Sequence, residues 1–163
     1  MIEVIERLRN EADVNTMSPL TWAYVGDAVY ELFVRVNLVN NANMKPHKLH
    51  IESIKYVKAG AQAEILKKIE DNLTEKEKEV VKRGRNAENH HLPKNATVQE
   101  YMYSTGFEAL IGYLYLTKQD KRLKELLELC MWNTLSLCKI FFYLYCISIA
   151  SVLQNKKPRK LEK

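Results

Sequence analysis

Apolar residues recur at helical spacing through most of this sequence, and capping residues mark where several helices should begin. Ser18 and Pro19 form an N-cap and a first-turn proline, so we expect a helix from there to about Val39. Thr97 and Glu100 form a capping box before an apolar helix that should run to residue 116. No stretch alternates apolar and polar residues as a half-buried strand does. The sequence therefore predicts an all-α fold.

The rest of the chain predicts further helices and two polar loops. We expect helices over residues 2–12, 49–69 and 75–85, the last of them capped by Thr74. Another should begin at residue 121, after a break at Gln119 and Asp120. Residues 40–47 and 84–96 should be loops, because polar side chains without an apolar period fill them. Only five glycines and four prolines interrupt the 163 residues, which favours a mostly helical chain.

Positive charge is concentrated at the C-terminal end of the chain. The net charge is +5, and the last ten residues, QNKKPRKLEK, hold five basic side chains and one acidic one. Residues 1–153 therefore carry only about +1. A surface on the body that binds a polyanion must be a local cluster of basic residues.

The cysteines and the N-terminal segment indicate a cytoplasmic protein. Cys130, Cys138 and Cys146 follow one another at a spacing of eight, which suits a helix better than a disulfide framework or a zinc site. The first residues, MIEVIERLRNEADV, are charged throughout and do not resemble a secretory signal.

An acid, Asp27, stands at the centre of the apolar stretch LTWAYVGDAVYELFVR, residues 20–35. An ionised carboxylate in apolar surroundings is unfavourable unless a cation or a hydrogen-bond donor lies beside it. Glu31 shares the helix face of Asp27, and no basic residue lies within one turn on that face. A paired or capping carboxylate is the ordinary explanation for a single Asp. The position in mid-helix favours a functional role here.

A second acid, Glu108, is embedded in the apolar helix over residues 97–116. Small residues flank it, namely Gly106, Ala109 and Gly112, and small residues permit close approach of another helix or of a ligand. Two such acids could face each other across a shared cation. Mg²⁺ prefers carboxylate oxygens and retained waters, which two acids and a phosphate would supply.

Basic and amide side chains cluster around the predicted loop over residues 84–96. Their guanidinium, ammonium and amide groups are those that bind phosphates and sugar hydroxyls. A solvated loop remains the alternative. The candidate RNA-binding residues here are Lys82, Arg83, Arg85, Asn86, Lys94 and Asn95. A weaker set near residue 47 comprises Lys45, His47 and His50, and for its two histidines a surface pair is favoured over a metal site.

These clusters together resemble the ribonuclease III family, and within it the short bacterial branch, Mini-ribonuclease III. The signature helix of the family is similar to Tyr-Val-Gly-Asp-Ala-Val at residues 24–29, and its second motif is similar to Glu-Ala-Leu-Ile-Gly at residues 108–112. The mini branch also resembles residues 45–50, 56–63, 84–87 and 93–101. The similarity covers roughly residues 15–128. Further acids of the longer family members are replaced here by Leu20, Ala23 and Thr105.

The resemblance implies a function and a site. Asp27 and Glu108 would be catalytic and would bind Mg²⁺ in an endoribonuclease that cleaves double-stranded RNA and leaves 5′-phosphate and 3′-hydroxyl ends. The enzyme would be a homodimer in which Tyr24 contacts the partner subunit, although ordinary core packing is an equal alternative for Tyr24. The implied substrate is the precursor of 23S ribosomal RNA, free or within a ribosomal assembly intermediate. Residues 1–128 would form the catalytic domain, without a double-stranded-RNA-binding domain.

Two alternatives stay open at this point. The chain could be a non-catalytic helical protein that binds RNA or the ribosome, with structural acids. The segment over residues 129–163, an atypical apolar helix followed by a basic tail, could anchor the chain in a membrane or pack on the body or on a partner. We favour packing, because Asn133 and Lys139 interrupt the apolar run and leave residues 140–153 too short to span a bilayer.

Overall fold

The computed structural model describes residues 10–87 and 97–130, and within these ranges it contains helices and their connections but no strand. The chain divides into two compact units, Met1–Leu127 and Glu128–Lys163, and the first of them is the body discussed below. The predicted all-α fold is confirmed.

Six α-helices of the body have defined bounds in the described residues. They are α1 (Glu11–Thr16), α2 (Pro19–Asn41), α3 (Pro46–Val57), α4 (Ala59–Ile69), α5 (Glu75–Arg85) and α6 (Val98–Leu116). A short 3₁₀ turn, Glu70–Asn72, follows α4. Residues 120–127 are helical again. The chain leaves the helix at residues 117–119, so Gln119 lies in the break as predicted, but Asp120, predicted to belong to the break, already begins the next helix.

The predicted caps form the expected hydrogen bonds. The Ser18 hydroxyl accepts the backbone N–H of Leu20 at 3.1 Å and begins α2. At α6 the Thr97 hydroxyl accepts the N–H of Glu100 at 3.1 Å, and the Glu100 carboxylate accepts the N–H of Thr97 at 2.9 Å. Thr74 forms the same reciprocal box at the start of α5. Side-chain chemistry visible in the sequence therefore fixes where these helices begin.

Several predicted helix bounds are wrong. The predicted loop over residues 40–47 is confined to residues 42–45, because α2 runs to Asn41 and α3 begins at Pro46, three residues before its predicted start. Pro46 takes the first helical position, where its missing N–H has no helical partner to lose.

Residues 49–69 are two helices, because Lys58 is extended at φ −66° and ψ 147°. Its N–H donates to the Ile54 carbonyl at 3.2 Å and its carbonyl accepts the N–H of Gln62 at 3.1 Å, so one residue ends α3 and begins α4. Near the N-terminus Asn10 caps α1, accepting the N–H of Asp13 at 2.9 Å, so residues 2–12 are not one helix. The part of that prediction before residue 10 lies outside the described residues.

The core of the body is built around α6. Phe107, Leu110 and Ile111 of this helix are completely buried. Helix α2 packs on it through two edge-to-face aromatic pairs, Trp22 with Tyr113 at 5.2 Å and Tyr30 with Phe107 at 4.9 Å between ring centres. The buried aromatic rings fix α2 and α6, the two helices that carry the candidate acids, against each other.

No helix in residues 10–87 and 97–130 is long and apolar enough to cross a membrane. The apolar run over residues 140–153 and the basic tail lie outside the described residues, so the prediction for that segment stays a prediction.

Candidate active site

Two glycines let the backbones of α2 and α6 meet directly. A Cβ atom on Gly26 would lie 1.8 Å from the carbonyl oxygen of Glu108, and one on Gly112 would lie 1.9 Å from the carbonyl oxygen of Trp22. Any side chain at either position would overlap backbone atoms, which cannot move aside as the end of a flexible side chain can. Asp27 directly follows Gly26, so this crossing brings Asp27 to the part of α6 that carries Glu108.

Glu108 has the most perturbed carboxyl group of this junction. Burial, and after it the negative charge of Asp27, raise the pKa of Glu108 from 4.5 to about 8. The side-chain amide of Gln62, on α4, opposes this shift and lowers the pKa. Asp27 therefore acts on Glu108 across the helix crossing. Without a nearby cation, Glu108 keeps its proton at neutral pH.

Asp27 has a different environment from that of Glu108. We expected apolar surroundings, but Asp27 is exposed in the chain, because the outward face of α2 is apolar without being covered. Partial desolvation by its own chain, and then the charge of Glu31, raise the pKa of Asp27. Glu31 is itself held in an ion pair with Arg35, one turn further along α2. Because Glu31 is paired, the site contains two available acids, Glu108, which is largely buried, and Asp27, which is open to solvent.

The two carboxyl groups suit one hard cation whose remaining ligands are water molecules and phosphate oxygens. In the described ranges no three His, Cys, Asp or Glu side chains come together as a metal cage. Two carboxyl groups share this junction, and Glu108 is protonated at neutral pH in the absence of a nearby positive charge. A divalent cation would stabilise the ionised form of both groups. Mg²⁺ suits such a partial site, since it keeps several waters and binds substrate phosphates as well.

An uncovered apolar stripe runs along α2 beside Asp27. Tyr24 is 82% exposed, Leu32 63%, Val36 50% and Val39 62%. Their intervals of eight, four and three residues put these side chains on one face of the helix. The core-facing side of the same helix carries Trp22, Tyr30 and Val34, which are completely buried. Helix α2 is therefore apolar on two sides, and only one of them packs against its own chain.

The described basic residues of the predicted RNA-binding cluster lie at the C-terminal end of α5. Lys82, Arg83 and Asn86 line an open pocket of about 530 Å³ together with Pro19, Glu79 and Ala87. The Arg83 guanidinium lies 4.4 Å from the centre of the Trp22 ring, so this side chain also packs on the core. Lys82 and Asn86 are exposed.

Arg85 belongs to a second basic group that the sequence did not reveal. Its guanidinium lies 3.8 Å from the centre of the Tyr103 ring, and the Lys67 ammonium lies 5.4 Å from the same ring centre. Lys67 and Tyr103 come from α4 and α6, and no local motif links them to Arg85. Only the packing of the three helices shows that these side chains meet.

The remaining candidate residues are placed as follows. Lys45 precedes α3 and His47 and His50 lie on its first turns, all exposed to solvent. Lys94 and Asn95 lie outside the described residues. Gln62 is a further site residue that sequence analysis missed, since a single glutamine in an amphipathic helix carries no signal of its own.

Comparison with known families gives the class of protein. The Ribonuclease III domain model matches residues 20–119, which include both acids, the whole of α6 and all of α2 after its first residue. The chain therefore belongs to the ribonuclease III family. It is an endoribonuclease, and the non-catalytic alternative is set aside. Enzymes of this family act on double-stranded RNA and generally depend on a divalent metal ion.

Individual relatives define the branch. A Mini-ribonuclease 3 of Thermoanaerobacter sp. (strain X514) is 51% identical over 128 residues, which is 78% of this chain and 89% of the relative. A Mini-ribonuclease 3 of Symbiobacterium thermophilum is 52% identical over 113 residues, which is 69% of this chain and 87% of the relative. A crystal structure of a Fusobacterium nucleatum protein matches with a TM-score of 0.67 and 31% identity, over 74% of this chain and 97% of that one. The predicted Mini-ribonuclease III branch is confirmed.

Proposed function

We propose that Asp27 and Glu108 together hold Mg²⁺ and that the enzyme uses it to hydrolyse phosphodiester bonds of double-stranded RNA, leaving 5′-phosphate and 3′-hydroxyl ends. One observation carries the proposal: two helices cross in backbone contact, and beside this contact burial, and after it the charge of Asp27, raises the pKa of Glu108 to about 8. Such a pair needs positive charge to be fully ionised at neutral pH.

The two acids would have different tasks in this site. Glu108 is largely buried on α6, the central helix of the core, so it would supply a rigid ligand. Asp27 is exposed on α2 and would face the RNA side of the ion. When bound, Mg²⁺ would favour ionisation of a water molecule and stabilise charge on the phosphate.

The RNA surface would include the basic residues near the end of α5. Lys82, Arg83 and Asn86 share one open pocket, and Arg85 lies beside them in sequence with its guanidinium over Tyr103. Lys94 and Asn95 would extend this surface, and Lys45, His47 and His50 would form a weaker contact.

A homodimer is the assembly that this chain supports best. The stripe of Tyr24, Leu32, Val36 and Val39 exposes apolar side chains on α2, directly beside Asp27. A second copy of the same stripe would cover it and would place two acid pairs in one assembly. Tyr24, with 82% of its surface exposed, would contact the partner instead of its own core.

The substrate we propose is the precursor of 23S ribosomal RNA, processed in the cytoplasm, free or within a ribosomal assembly intermediate. The relatives are called Mini-ribonuclease 3, and that branch is the source of this proposal. Mapping the ends of 23S precursor RNA in cells with and without the gene tests it. Unprocessed ends are expected in the cells that lack the protein, and normal ends would exclude this substrate.

The reaction itself is tested with purified enzyme and a labelled RNA duplex. We expect cleavage in Mg²⁺, no cleavage after chelation, and recovery when Mg²⁺ is added back. The single strands of the same duplex serve as the matched control and should remain intact. Cleavage that persists in excess chelator would exclude the metal site.

A further inference from the structure

Gln62 of α4 is a buried polar side chain without an evident structural task. Its exposure is 1%, and neither its amide nitrogen nor its amide oxygen has a hydrogen-bond partner among the described residues. An amide can make up to four hydrogen bonds, and leaving them unmade inside a protein is unfavourable. Such a group in a buried position calls for an explanation, because an apolar residue would fill the space without this penalty.

The surroundings of Gln62 separate it from ordinary core residues. Its neighbours in α4 that face the core, Ala63, Leu66 and Ile69, are apolar and buried. The amide of Gln62 lies close enough to the carboxyl of Glu108 to lower the pKa of that acid, and no other group in the described part of the chain is found to favour its ionised form. It does so without a hydrogen bond of normal geometry to the carboxyl.

We propose that Gln62 is a positioning residue for the metal site: its side-chain N–H donates to the Glu108 carboxylate when that carboxylate faces a divalent cation. This inference rests on the proposed function of Asp27 and Glu108. A donor on one carboxylate oxygen leaves the other oxygen for the ion and fixes the plane of the group. Partners of this kind commonly change metal affinity tenfold to a hundredfold.

Alternative explanations for Gln62 make different predictions. A packing residue would stabilise the protein whether or not metal is present. A positioning residue is unfavourable in the metal-free protein, where its amide is unpaired, and useful once the ion is bound. Replacement by an apolar residue of similar length should therefore separate stability from metal affinity.

The experiment compares Gln62→Met with wild type in the full chain, with Gln119→Met as a control that makes the same change away from the acids. Gln119 donates to the Thr117 hydroxyl at 2.9 Å, outside the site. Thermal unfolding is followed after chelation and then across a titration with MgCl₂ alone. Cleavage of duplex RNA over the same Mg²⁺ range gives a second reading of the midpoint.

For Gln62→Met we expect a metal-free Tm at or above that of wild type and a Mg²⁺ midpoint raised about tenfold. Gln119→Met should leave the midpoint unchanged. A lowered metal-free Tm with an unchanged Mg²⁺ midpoint would overturn the inference, and so would failure of both Gln62→Met and Gln62→Leu to fold. If wild type itself shows no Mg²⁺-dependent shift, the proposed metal site fails together with it. If wild type shows the Mg²⁺-dependent Tm shift and Gln62→Met has the same Mg²⁺ midpoint, the role of Gln62 is refuted and the metal site is not.

Discussion

The two acids of the site are chemically alike but lie in different environments. Glu108 is largely buried in α6, whereas Asp27 is exposed on α2. Burial, and after it the charge of Asp27, raises the pKa of Glu108 to about 8. Glu31, which shares the helix face of Asp27, is paired with Arg35. The pair is therefore an asymmetric one, with a single acid that stays protonated at neutral pH until a cation arrives.

This asymmetry predicts a dependence of stability on pH in the metal-free protein. Between pH 4.5 and about 8, folded Glu108 keeps a proton that the unfolded chain has lost, so its contribution to the free energy of unfolding falls as pH rises. Glu108→Gln does not titrate. Its Tm after chelation should match wild type near pH 4.5 and exceed it increasingly toward pH 8, at about 1.4 kcal/mol or less per pH unit.

Differential scanning fluorimetry from pH 4.5 to 8 measures this difference in Tm, with Glu31→Gln, which removes an acid on the Asp27 face of α2, as the control. A Tm difference between Glu108→Gln and wild type that does not vary with pH would show that Glu108 ionises normally in the folded chain.

Lys82 and Arg83 are adjacent basic residues for which we predict different effects on substitution. Lys82 is exposed, whereas the Arg83 guanidinium lies over the Trp22 ring. Lys82→Ala should weaken binding to duplex RNA and lower the log–log salt slope by roughly 0.7–0.9, with Tm unchanged. Arg83→Ala should lower both the slope and the Tm, because a packing contact is lost with the charge. Salt titrations of binding and thermal unfolding measure both, with Lys68→Ala as the control.

An unchanged salt slope for both variants would mean that the pocket at the end of α5 does not contact phosphate.

At the scale of the elements, the helix starts were predictable because their signals are local. Ser18, Thr74 and Thr97 each accept a backbone N–H two or three residues ahead, and the sequence contains both partners. The one-residue break at Lys58 gave no such signal, since its backbone groups remain hydrogen bonded on both sides. The proposed role of Gln62 was not predictable either, because it depends on contact with Glu108, which is far away in sequence.

The crossing of α2 and α6 makes a strong prediction at this scale. A Cβ atom on Gly26 would stand 1.8 Å from a backbone oxygen, whereas one on Gly60 would stand 3.0 Å from the end of the Glu100 side chain, which can move. Gly26→Ala should therefore lower stability by several kcal/mol, about 3 or more, and reduce activity by separating the acids. Gly60→Ala should be near neutral.

Chemical denaturation and cleavage assays on the two alanine variants measure this. Wild-type stability and activity in Gly26→Ala would mean that the helices do not meet as closely as described.

For the molecule as a whole, the uncovered stripe on α2 predicts the oligomeric state. Leu32→Glu combined with Val36→Glu should convert a dimer to a monomer, because two charges in an apolar interface cannot be solvated there. Val98→Glu changes another exposed apolar residue, 56% exposed on α6, and should leave the dimer intact. Sedimentation equilibrium measures the mass. A monomeric wild-type chain, or a double variant that remains dimeric, would exclude this face as the interface.

The most direct test of the two-acid site is single-turnover cleavage of duplex RNA by Asp27→Asn and Glu108→Gln at saturating Mg²⁺. Each substitution keeps the shape of the side chain and removes the charge that holds the ion. We expect each to lower the rate about a thousandfold or more, equivalent to several kcal/mol of lost stabilisation, while RNA binding and the dimer persist. Glu31→Gln should cleave normally. Near-normal rates in either acid variant would contradict the account.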